Sequence, residues 1–220
     1  MNESPGRTYG EKWEWLILAA LVTWAAHLVP EQLFFQTWTL LPPFIQAAGE
    51  ENYWYLLSLA YGLFLVLPSL SRSGIRIGDI RRHWRGVLFS CVIPIILTAI
   101  VYPLLPVRPF SDSAAGMWLI SPLSQDLVFI GFLYGRFEIL YPTFIHPLFR
   151  IKWALLISAL FFSAWHLPNF STMPAGFVIF QLFYTVLIFL AAGLSRQWTG
   201  SMVYFTLAHS CINFIVWWVK

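Results

Sequence analysis

Residues 86–105 read GVLFSCVIPIILTAIVYPLL, twenty positions without one charged side chain. A helix of that length rises about 30 Å, the thickness of a bilayer's hydrocarbon core. Working outward from it, six more segments have comparable character: about 13–30, 52–70, 115–137, 152–167, 175–195 and 202–219. The fifth of the seven in chain order is short, because Pro168 stops it. The stretch Gln32 to Ala48 is apolar but holds Pro42 and Pro43, and reads as an interfacial or re-entrant piece. The expected fold is therefore all-α, a polytopic membrane protein of about seven transmembrane helices in one bundle. No linker, repeat or low-complexity tract divides residues 1–220, so a single membrane domain is expected.

Composition leads to the same class. Apolar residues make up 59% of the chain and charged residues 10%, with a mean hydropathy of +0.69. A soluble domain of this size has too little interior to hide that much apolar surface. The net charge of +3 comes without a basic face, which argues against a nucleic-acid partner. Cys91 and Cys211 each lie in apolar runs and read as small fillers, neither a disulfide framework nor a metal knuckle. The first twelve residues are polar, and the run after them reaches Leu28-Val29-Pro30-Glu31 without a small-residue cleavage site. A retained first span is expected, with His27 ending it beside Pro30.

Basic residues set the expected orientation. Segment 71–85 carries Arg72, Arg76, Arg81, Arg82 and Arg85, and 136–152 carries Arg136, Arg150 and Lys152, with His146 in a loop; Arg196 lies in the turn between the sixth and seventh spans. The alternate loops are poor in base, so seven spans with a cytoplasmic N-terminus satisfy the positive-inside bias. The arginine run itself reads as an anchor on anionic membrane lipids.

Polar side chains within spans mark sites, because each is costly to leave in lipid. Ser124-Gln125-Asp126 interrupts the fourth span. In the fifth, His166 follows Phe162 by four residues; in the seventh, His209 and Asn213 are four apart and share a helix face. Taken singly, His166 also suits a helix-capping group near an interface, and His209 with Asn213 suits interhelical hydrogen bonding. Asp126 is harder to explain without a partner. Together they form a candidate polar centre of Gln125, Asp126, His166, His209 and Asn213. Asp126, His166 and His209 are acceptable zinc ligands by type, but they lack close ligand spacing, so neither metal nor cofactor is expected. No inverted repeat or pair of broken helices supports a transporter.

These clusters, in this order, resemble the CPBP family of CAAX prenyl endopeptidases and bacteriocin-processing or Abi-type membrane proteins. The family pattern is Glu-Glu-xxx-Arg, then Phe-xxx-His, then His-xxx-Asn. Phe162-xxx-His166 and His209-xxx-Asn213 fit in full, and the flank Phe129-Ile130-Gly131-Phe132-Leu133-Tyr134 is similar to that of the first motif. The resemblance covers about 115–216. It implies an intramembrane peptidase fold in which the first Glu and the motif-two His activate water while the motif-three His and Asn stabilise the oxyanion. It also implies a membrane-associated peptide or integral membrane protein partner, and a bacterial cytoplasmic (inner) membrane location.

This chain departs from the pattern at the base. Gln125 stands at the first Glu position, Asp126 at the second and Ile130 at the Arg position. An amide orients water but has no basic lone pair to deprotonate it. The expected function is therefore an impaired relative that binds a membrane peptide or protein, as an assembly or immunity factor. The alternative is an active endopeptidase using Asp126 with His166 as base.

Overall fold

A computed structural model describes residues 9–46, 50–105, 116–146 and 150–218. Seven helices carry the architecture: α1 (Tyr9–Thr37), α2 (Glu50–Val66), α3 (Trp84–Val101), α4 (116–140), α5 (Trp153–Ala164), α6 (Ala175–Thr199) and α7 (Val203–Trp218). Five stretches are long and apolar enough to span a bilayer: Lys12–Leu40, Tyr53–Ser73, Trp84–Leu104, Trp153–Ser171 and Ala175–Thr199. α7 is a shorter apolar helix. Large side chains such as Phe64 (70% exposed) and Phe183 (72%) point outward, as expected where the solvent is lipid rather than water. The protein is an all-α integral membrane protein.

The composite helix α4 positions the site. Its α-helical pieces Ser121–Asp126 and Tyr134–Leu140 alternate with π-helical Gly116–Ile120 and Leu127–Leu133. A π turn takes more residues than an α turn, so side chains after Asp126 leave the faces that a 3.6-residue period assigns them. Leu127, Val128, Phe129, Ile130 and Leu133 are all buried and form the centre of the core with Phe162, Phe189 and Phe205. α4 is thus enclosed by its neighbours, chiefly α2, α5 and α7.

Two local features differ from the sequence reading. α1 continues through Pro30 to Thr37, so His27 lies inside the helix rather than ending it. Proline is tolerated in a transmembrane helix where neighbouring groups cover the freed backbone, and Pro30 is fully buried. Beyond α1 the chain makes a 3-10 turn, Trp38–Leu40, and one helical turn, Pro43–Gln46, in the stretch expected to be interfacial or re-entrant. Between α4 and α5, strands β1 (Phe144–His146) and β2 (Ile151–Lys152) pair antiparallel. His146, expected in a loop, is therefore in a strand.

Candidate active site

α5 supplies the floor of the site. Phe162 is 5% exposed, and its ring meets the rings of both His166 and His209 edge to face, at centroid distances of 5.3 and 5.6 Å. Its carbonyl accepts a hydrogen bond from His166 Nδ1 at 3.1 Å. The Phe-xxx-His spacing is explained by this arrangement: one residue both carries the apolar platform and fixes the imidazole a turn later. With its proton on Nδ1, His166 keeps the Nε2 lone pair for another partner. α5 ends at Ala164, and a 3-10 turn over Leu167–Ser171 places Asn169 beside the same space.

α7 contributes His209, and α4 orients it. His209 Nδ1 lies 2.8 Å from Asp126 Oδ1. Asp126 is fully buried, and its second oxygen has no partner among the described residues. Ile130, at the position where the family pattern has a cation, is also fully buried within the apolar core and offers that oxygen nothing. The carboxylate accepts from Nδ1–H, so the pair aims His209 Nε2 away from α4.

Both imidazoles border one cavity of about 270 Å³. Gln125, His166, His209 and Asn213 line it, with Ser121 and His27. Asp126 does not. The sequence places all five candidate residues in one polar centre, with Asp126 beside His166 as base in the alternative, active reading; the geometry instead turns Asp126 away from the cavity, behind His209. Adjacent helical positions point about 100° apart, and here Gln125 takes the cavity while Asp126 takes the interface with α7. Gln125 Nε2 donates to Ser121 Oγ at 3.2 Å, one turn earlier on the helix.

The cavity holds polar groups that the sequence reading passed over. His27 stacks on Trp165 with ring centroids 3.5 Å apart and contacts the Trp165 carbonyl at 2.6 Å. Asn169 Nδ2 donates to Gln181 Oε1 at 2.9 Å. Gln181 was detectable by the signal that marked Gln125, an amide inside an apolar run. The walls are otherwise mostly aromatic, including Trp54, Tyr102, Phe180 and Tyr184, with aliphatic Ile188, Ile212 and Val216 between them. Among the described residues no group of three or more His, Cys, Asp or Glu side chains is arranged to hold a metal ion.

Helix α4, the α5 platform and the α7 histidine carry the three motifs in order, and residues 112–215 match the family model for type II CAAX prenyl endopeptidase Rce1-like proteins. This part of the chain is Rce1-like, of the CPBP family. The Rce1-like segment contains all five candidate residues, together with the platform Phe162. No curated protein and no solved structure matches the chain. Within the Rce1-like segment, Gln125 stands where the family pattern has its first carboxylate.

Proposed function

We propose that this Rce1-like protein binds a membrane-inserted peptide segment, belonging to a membrane-associated peptide or an integral membrane protein, and holds it without efficient hydrolysis. The observation that carries this reading is the division of labour between Gln125 and Asp126. The side chain facing the cavity is a neutral amide, and the carboxylate is turned to His209. A positioned general base contributes typically 10²–10⁴-fold, and an amide contributes none of it. Binding asks less of the site. Aromatic walls with a few convergent polar groups suit a peptide whose backbone needs hydrogen-bond partners in a dry environment.

One contact supports a second reading, an endopeptidase with a displaced base. The Asp126–His209 bond holds the imidazole in the tautomer whose Nε2 accepts a proton. In that scheme His209 takes a proton from water as the oxygen adds to the peptide carbonyl. Asn213 donates to the oxyanion, and the imidazolium returns the proton to the departing amine.

The test is to reconstitute the protein with a library of membrane-anchored peptides and to follow retention and cleavage together. Retention of a subset without cleavage, lost on Ile188→Trp, which narrows the cavity, is the expected result. Cleavage lost on Asp126→Asn supports the second reading instead.

A further inference from the structure

A second cavity, of about 350 Å³, lies at the arginine-rich end of the bundle and shares no lining residue with the histidine cavity. Arg72, Arg76 and Arg196 line it. Arg196 is only 5% exposed; its Nη2 donates to the Arg72 carbonyl at 2.7 Å, its guanidinium lies 5.4 Å from the Tyr134 ring centre, and its Nε has no hydrogen-bond partner among the described residues. Arg76 approaches from the other wall over Gly200, which has a φ of +72°. A Cβ on Gly200 would stand 2.9 Å from Arg76 Nη2 and 3.8 Å from Arg196 Nη1. Two guanidinium groups therefore converge on a space that a side chain would fill.

The carboxylate of this cleft is already engaged. Glu138 pairs with Lys152 Nζ at 2.6 Å and accepts from the Tyr134 hydroxyl at 3.2 Å. Among the described residues no carboxylate comes within ion-pair distance of Arg72, Arg76 or Arg196. Converging like charges in a partly buried site favour an anion between them, and planar guanidinium forks match phosphate oxygens. Ile139, 41% exposed, lines the cleft, and Ile75 and Ile77, on either side of Arg76 in the chain, are 44% and 85% exposed. Exposed isoleucines next to the arginines suit a phosphate that carries acyl chains.

We propose that this cleft binds the phosphoryl headgroup of an anionic membrane lipid. The site is a defined pocket within the arginine-rich face, formed where the α6–α7 turn docks on the segment after α2; Ser201 bonds the Arg76 carbonyl there, and Met202 N donates to the Gly74 carbonyl at 2.9 Å.

The experiment titrates fluorescent phosphatidylglycerol, in micelles of a neutral detergent, against the purified full chain. Arg76→Gln removes an exposed guanidinium and should weaken binding roughly tenfold, the scale of one charge-assisted contact. Arg196→Lys keeps the charge, loses the fork and should weaken it similarly. Arg81→Gln and Arg82→Gln remove the same charge outside the cleft and should each cost less than about twofold, as expected of screened surface charges. Equal losses at all four positions, or equal binding of phosphatidylcholine, would overturn the proposal in favour of diffuse surface attraction. Competition by inorganic phosphate at the concentration of the lipid itself would overturn the lipid source and assign the cleft to a soluble phosphate.

Discussion

Asp126 Oδ1 and His209 Nδ1 stand 2.8 Å apart, joining α4 to α7 across 83 positions of sequence. The bond determines which atoms reach the cavity. It withdraws the carboxylate and presents an imidazole nitrogen in its place. It also supplies a partner for a fully buried carboxylate, which in a membrane interior is otherwise costly.

Removing one member of this pair should cost more than softening it. His209→Phe leaves both Asp126 oxygens without partners and should destabilise the fold by about 3–5 kcal/mol. Asp126→Asn keeps an oxygen that accepts from Nδ1 and should cost clearly less. Thermal unfolding of both variants in one detergent measures the difference, and equal losses would show that the bond is not what the site depends on.

Phe162 should behave as a platform rather than as filler. Its ring touches both site histidines, Phe129 and Phe189. Phe162→Ala should cost about 3–5 kcal/mol through the cavity it leaves. Phe162→Leu should recover much of that stability while weakening peptide retention, because the histidines lose their edge-to-face support. Retention and unfolding measured on the same two variants separate these effects.

Gly62 on α2 sets the depth of α4. A Cβ there would meet the Ser124 carbonyl oxygen and Leu127 Cβ, each at 2.9 Å. Backbone cannot yield as a side-chain tip does, so Gly62→Ala should cost about 1–3 kcal/mol through overpacking. It should also disturb Gln125, one residue along. A fully stable Gly62→Ala variant would show that α2 and α4 are less closely packed.

Much of this was legible in the sequence. Hydropathy located the spans, because a bilayer demands long apolar helices, and the order of three short motifs indicated the family. The direction of Asp126 was not legible. Helical periodicity says that it diverges from Gln125 but not which neighbour it meets, and the π-helical stretch Leu127–Leu133 breaks the periodicity just after it. The place of His27 at the cavity was not legible either, because a proline three residues on ordinarily ends a helix, whereas α1 runs past Pro30.

The orientation expected from basic residues can be measured directly. With Cys91 and Cys211 replaced, Arg81→Cys and Glu50→Cys should react with a membrane-impermeant thiol reagent from opposite sides, with Arg81→Cys on the cytoplasmic side. Labelling of both from one side would contradict the seven-span topology.

On the proposed reading the neutral side chain of Gln125, and not the loss of the surrounding site, withholds hydrolysis. The most direct measurement compares wild type with Gln125→Glu in proteoliposomes carrying membrane-anchored peptides, scored for new peptide termini. Wild type should show negligible cleavage and the variant a gain of about 10²-fold or more, because a carboxylate joins His166 at the cavity wall. Robust cleavage by wild type that is abolished by Asp126→Asn and unchanged by Gln125→Glu would contradict that reading, and would make His209 the working base.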